Sequence, residues 1–190
     1  MAGRRNSGRC VLDFVKSTAR GRPVMEKAEK LVPASAVIRQ GEDFPNPQPG
    51  REAVVFLPFL MAGLAPPLSA FLLNVLEAHQ IHLVHLTPNS VVVLAAFAHA
   101  CEMFFVVMPS VELFRYFFHL SATPSRSPHP GVAAQPRTVG GCCFRIRPER
   151  RGEFIGWEMP SRWDDWDRQW LYVAIDSPLS RLGLPVGWHI

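Results

Sequence analysis

Charge is scarce in this chain. Of 190 residues, 19% are Asp, Glu, Lys or Arg, below the usual quarter. With 48% hydrophobic residues, that excludes a wholly disordered, self-repelling polymer. Cysteine is also sparse. Cys10, Cys101, Cys142 and Cys143 include no pair at two-residue spacing, so a zinc knuckle or a dithiol redox motif is excluded. The pattern fits reduced thiols inside a cell. No phosphate-binding glycine loop, dinucleotide fingerprint or nucleophile elbow is present. No secretory leader is expected either. Val11-Leu12-Asp13-Phe14-Val15 is too short for an apolar core and carries an acid. An intracellular location, nucleus or cytoplasm, is expected. The Arg-rich, acid-poor start is shared by organellar transit peptides, but its apolar residues are too few for an amphipathic helix.

Long clean apolar runs are lacking too. Residues 53–76 carry no charge, but Pro58, Pro66 and Pro67 interrupt them, and lipid cannot satisfy the backbone groups that proline frees. Residues 91–108 hold only Glu102 as a charge, with His99 nearby. A carboxylate at membrane depth costs about 2.5 kcal/mol or more. Both stretches are expected as core elements of a soluble fold rather than spans.

What the chain has in excess is proline, 18 residues, about twice the usual share, and a basic start. The formal net charge is +4. Residues 1–30 alone carry +5 and residues 31–190 carry −1, so the basic character belongs to an N-terminal arm. Arg4, Arg5, Arg9, Arg20 and Arg22 are its candidate phosphate contacts. A solvated terminus explains the same residues.

The domain division follows. Residues 1–40 are expected to be a basic, disordered arm with weak helical potential at 25–32. Residues 41–176 form the domain, interrupted by a flexible Pro/Ser-rich insert at 121–139, and 177–190 are an irregular tail. Within the domain, Phe44-Pro45-Asn46-Pro47-Gln48-Pro49-Gly50 should be extended. It leads into a strand at 53–57. Three helices are predicted at about 69–79, 88–107 and 110–120. Ser69 caps the first, with Leu68 and Leu73 as its hydrophobic staple, and Thr87-Pro88 starts the second. The second is apolar nearly all round, with Val91, Leu94, Ala95, Ala98, Cys101 and Phe105 as one stripe and Val92, Ala96 and Met103 elsewhere, which predicts a central helix packed on several sides. Leu113, Phe114, Phe117 and Phe118 should face inward from the third. Half-exposed strands are expected at 142–147 and 152–157, and a last strand at 171–175. Trp163, Trp166 and Trp170 stand at helical spacing. The fold class is α+β, mainly helical, with a three-helix core and short peripheral strands.

Candidate chemistry is thin. His79, His82 and His85 stand three apart and would share a helix face suited to a metal, but β-branched neighbours break that continuity. His99 and Glu102 form an i, i+3 pair. It reads as an acid–base couple or, more simply, as a satisfied buried pair. Trp163-Asp164-Asp165-Trp166-Asp167 matches no calcium loop. Arg145, Arg147, Arg150 and Arg151 form a second basic cluster, diluted by Glu149 and Glu153. No catalytic residue, cofactor or metal is assigned.

An ordered series of short motifs carries a resemblance. It runs Pro47-x-Pro49-Gly50, Val55-Phe56-Leu57-Pro58-Phe59 with Gly63-Leu64, and Pro67-Leu68-Ser69-x-Phe71. Ile81 follows, then His85-Leu86-x-Pro88-Asn89-Ser90, Leu94-x-x-Phe97-x-x-x-Cys101-Glu102, Pro109-Ser110 and Leu113-Phe114-Arg115-x-Phe117-Phe118. Gly141-x-x-Phe144-x-x-Arg147 and Trp166-x-x-x-Trp170-x-Tyr172-Val173 complete it. Over about residues 41–175 the chain resembles the gypsy-type transposon domain of plant retrotransposons, a family also named for a transposase. The resemblance implies descent from a retroelement reading frame, near its capsid-like or structural part, and carries over no catalytic residues. Members often continue into a charged coiled coil, so the chain is expected to be truncated or a solitary fragment. Strand transfer needs three metal-binding acids around a core, and the acids here do not suggest that set. The resulting expectation is a non-enzymatic structural or protein-interaction module, capable of self-association or of binding protein partners. The alternative is a nucleic-acid-binding protein using the basic arm.

Overall fold

A computed structural model of the chain describes residues 16–123, 138–154 and 163–175. The elements run α1 (Arg22–Glu29), β1 (Ile38–Arg39), β2 (Glu52–Phe56), α2 (Leu57–Met61), α3 (Ala70–Ala78), α4 (Pro88–Ala100), α5 (Val111–Phe117), β3 (Phe118–Ala122), β4 (Cys142–Ile146) and β5 (Trp170–Ala174). Short 3₁₀ turns lie at Leu83–His85, Pro148–Arg150 and Trp166–Arg168, and a π-helical turn at Cys101–Phe105.

Local chemistry starts three of the helices. The hydroxyls of Ser69, Thr87 and Ser110 accept from the backbone N–H of Leu72, Ser90 and Leu113. Each cap satisfies a donor that the first turn leaves without a partner. Pro88 at the first helical position of α4 has no N–H to satisfy.

The strands form two antiparallel sheets. The last strand, β5, sits at the centre of the larger one, in the order β1-β5-β2. Its register places Trp170 opposite Phe56 and Val173 opposite both Ala53 and Ile38. The smaller sheet pairs β3 with β4, Leu120 opposite Phe144. One hydrophobic core fills the interior, and its aromatic rings fall into two groups. Phe56, Phe59 and Trp166 meet beneath the larger sheet, with ring centroids 4.9–5.8 Å apart. Phe71, Phe97, Phe114, Phe118, Phe144 and Phe154 join α3, α4 and α5 to the smaller sheet. The fold is thus mixed helix and strand. Its core is not built by three helices alone, because Val54, Val55, Trp170, Leu171 and Tyr172 are as deeply buried as any helical residue.

Several expectations are corrected by long-range pairing. From residue 16 onward the segment expected to be a disordered arm is docked on the sheet. The Ser17 N–H donates to the Glu42 carbonyl at 3.0 Å, the Thr18 N–H to Arg168 at 2.7 Å, and the Ser17 hydroxyl to the Trp170 carbonyl. Gly41 makes this possible, since a Cβ there would run into Ser17 and the Trp170 carbonyl. The third helix stops at Phe117 because Phe118–Ala122 pairs with β4, which also removes residues 121 and 122 from the expected insert. The tryptophans do not share a helix. Asp165 adopts a left-handed conformation (φ 47°), Trp166 opens a single 3₁₀ turn, and Trp170 begins β5. In the strand expected at 152–157, residues 152 and 153 form a turn, and 155–157 lie outside the described residues. So do most of the insert (124–137) and the tail (177–190).

Candidate interaction surface

The central helix determines the exposed chemistry. Along α4, Val91, Val93, Leu94, Phe97 and Ala100 are buried, whereas Val92, Ala95, Ala96 and Ala98 are only half-buried and His99 is exposed, so the helix packs on one side and not on several as expected. That packing ends at Cys101. There the helix widens to a π turn, in which the Val106 and Val107 N–H groups both donate to the Cys101 carbonyl. The extra residue rotates the following side chains off the core. Met103, Phe104, Phe105, Val106, Val107 and Met108 are 44–83% exposed. Phe105, expected in the core stripe, is about half exposed. Val106 adopts the left-handed conformation (φ 53°), which is costly for a β-branched residue.

His99 and Glu102 do not form the expected buried pair. Both are exposed, at the solvent end of an apolar groove of about 360 Å³ between α4, α3 and the loop before α3. Leu64, Leu72 and Leu94 line its wall. The Phe104 ring stands edge-on to His99, 6.1 Å between centroids, so the groove and the exposed run adjoin. A second apolar groove of about 200 Å³ lies against the larger sheet, between Val37, Val55, Pro67 and Ile175. Among the described residues one helical stretch, Pro88–Phe105, is long and apolar enough to cross a membrane, and 44% of it is buried within the fold.

The other candidates are dispersed or already paired. His79 caps the end of α3 and packs edge-on to Phe144, and burial lowers its pKa. Gln80 then turns left-handed (φ 53°), which separates His79 from His82 and His85. The His85 Nδ1 accepts from the His82 N–H at 3.1 Å. Among the described residues no three His, Cys, Asp or Glu are grouped to hold a metal ion. Trp163 Nε1 donates to Asn89 Oδ1 at 2.7 Å, and Trp166 stacks on Phe59, so these tryptophans are structural.

Of the five arginines expected to contact phosphate, Arg4, Arg5 and Arg9 lie outside the described residues. Arg20 pairs with Asp43 at 2.6 Å and Arg22 with Glu26 at 2.7 Å. The second basic cluster is partly neutralised. Arg150 pairs with Glu153 at 2.8 Å and lies over the Tyr116 ring, while the Arg147 Nε donates to the Arg115 carbonyl. Arg145 and Arg151 are exposed.

Two features were not anticipated from sequence. One is the exposure of residues 103–108, whose composition matches that of the core. The other is a cluster joining the three strands of the larger sheet. Arg39 on β1 makes a two-pronged hydrogen bond to Glu52 on β2, at 3.0 and 2.9 Å, also bonds Glu42, and lies 3.7 Å over the Tyr172 ring on β5. The Arg39 guanidinium holds the Glu52 carboxyl below its ordinary pKa, and the hydrogen bond to Glu52 raises the pKa of Arg39 in turn.

Comparison with known proteins gives one result. Neither the curated proteins nor the solved structures yield a match. Residues 54–122, from within β2 to the end of β3, match the family described as Putative gypsy type transposon.

Proposed function

We propose that the protein is a non-enzymatic structural or protein-interaction module of retrotransposon origin, acting inside the cell. The family match supports the origin. The observation that carries the interaction reading is the run of six consecutive exposed apolar residues at 103–108. Their exposed area is roughly 700 Å², at or above the largest patch of an ordinary monomer. A patch of that kind marks a docking site more often than a catalytic one. The nucleic-acid reading has less support, since Arg20 and Arg22 are committed to carboxylates and residues 52–114 contain no Lys or Arg.

The test uses the purified full chain. Metal-dependent strand transfer on a DNA end would overturn the non-enzymatic reading. DNA binding that falls steeply with salt, and that Phe104→Glu leaves unchanged, would replace it with the nucleic-acid alternative. Neither activity is expected.

A further inference from the structure

A patch and a groove lie side by side on the face formed by the end of α4. The patch is the run 103–108, which projects from the π turn with Phe104, Val106 and Met108 as its most exposed members among the phenylalanines, valines and methionines. The groove, about 360 Å³, has room for two or three side chains of that size. His99 and Glu102 join the two features.

We propose that this face is self-complementary and docks a second copy of the same chain, residues 103–108 of each copy entering the groove of the other. The proposal rests on the interaction-module reading and names its partner. Three observations support a second copy. First, a knob and a hole adjacent on one surface are what a two-fold interface requires, because each contact is then made twice. Second, the exposed area of the run, roughly 700 Å², approaches the ~800 Å² that each partner buries in a standard interface. The groove walls supply the remainder. Third, the charge around the face suits neither an anionic lipid surface nor nucleic acid. From residue 52 to residue 114 there is no Lys or Arg, and Glu102 and Glu112 flank the run. An apolar surface like its own needs no basic partner, and Glu102, which lines the groove but is exposed, keeps its carboxylate in solvent.

The experiment is light scattering after size exclusion on the full chain at about 10–100 µM, with Phe104→Glu and Ala98→Glu as variants. Circular dichroism checks that each stays folded. Phe104 is two-thirds exposed, so Phe104→Glu does not disturb the core. The wild type is expected at twice 21.3 kDa, and both variants at the monomer mass. A monomeric wild type overturns the second copy as occupant but leaves the module reading in place. That reading falls only to strand transfer or patch-independent DNA binding. A dimer that survives Phe104→Glu, or a folded Ala98→Glu variant that remains dimeric, also overturns the proposal. So does a monomer that sediments with neutral phosphatidylcholine vesicles and loses that property in Phe104→Glu.

Discussion

Replacing Ser90 by alanine should uncouple the smaller sheet from the central helix. Ser90 is fully buried in the first turn of α4. Its hydroxyl accepts from the Phe144 N–H of β4 at 3.1 Å and shares a hydrogen bond with the Thr87 hydroxyl at 3.0 Å. Alanine fits the space but removes the acceptor. The Phe144 N–H is then a buried donor with no partner in place, which costs about 1–3 kcal/mol. Thr87 keeps its role as cap, because the N–H it accepts belongs to the backbone of residue 90. The helix itself should therefore survive.

Urea unfolding reads the global effect. With a slope of about 1–3 kcal/mol/M for a chain of this size, a loss near 2 kcal/mol lowers the midpoint by about 1 M. Amide exchange at Phe144 reads the local effect and should accelerate well beyond its neighbours. The control is Ser69→Ala, which removes the cap of α3 at a cost of about 1 kcal/mol and leaves Phe144 exchange no faster than that global loss requires. If Ser90→Ala changed stability by less than about 0.5 kcal/mol and left Phe144 protected, the account of how α4 holds β4 would be wrong.

Three further outcomes follow from the geometry. Because Arg39 depresses the pKa of Glu52, stability from this pair is full above the ordinary carboxylate value of 4.5 and is lost as pH falls below it. Glu52→Gln should cost about 1 kcal/mol at pH 7, discounted for the solvent around Arg39, and should flatten the acid limb of a thermal-melt series. A limb of unchanged slope would contradict this. Burial pushes the Cys142 thiol up to about 12, so its alkylation by iodoacetamide at pH 8 should be at least tenfold slower than that of an unperturbed thiol. Peptide mapping measures this, and rapid labelling of Cys142 in the folded chain would refute the burial. Finally, residues 54–122 expressed alone should give the poorly dispersed amide spectrum of a chain without fixed packing, and a dispersed spectrum would show that the matched stretch folds by itself.

How much of this was legible beforehand divides by distance along the chain. Ser69 and Thr87-Pro88 mark helix starts with their own side chains, and the structure places the starts there, while Ser110, expected as the first residue of the third helix, proves to be its cap. The β-branched and aromatic runs at 53–57 and 171–175 likewise appear as β2 and β5, shifted by one residue. What failed depends on partners far away. The helical spacing of Trp163, Trp166 and Trp170 is real, yet the pairing of Trp170 with Phe56 outweighs it. The apolar pattern past Phe117 suits a helix until β4 claims it. Ser17 looks like one more residue of a basic tail, and only the space above Gly41 shows where it docks. The candidate surface was hidden for a similar reason. Met103 to Met108 has the composition of a core segment, and periodicity cannot say where the neighbours that would cover it run out. His99 and Glu102 were recognised as a pair by spacing, but their exposure at the rim of a groove depends on the loop before α3.

The extent of the family match takes its meaning from the sheet order. The matched stretch holds most of β2 and all of β3 but neither of their partners. β5, which bonds β2 along five residue pairs, begins at Trp170, and β4, which bonds β3 along five, begins at Cys142. A piece limited to 54–122 would leave two strand edges without a ladder and would expose Phe56, Phe59, Phe114 and Phe118, all buried here. The stretch that matches therefore cannot be the folding unit in this arrangement. That unit reaches from Ser17, bonded to the Trp170 carbonyl, to at least the end of β5. The exposed run 103–108, by contrast, lies wholly within the matched stretch and its bonds stay local to Cys101. The surface proposed to dock a second copy thus belongs to the part of the chain that the family match covers, while the strands that stabilise it come from outside.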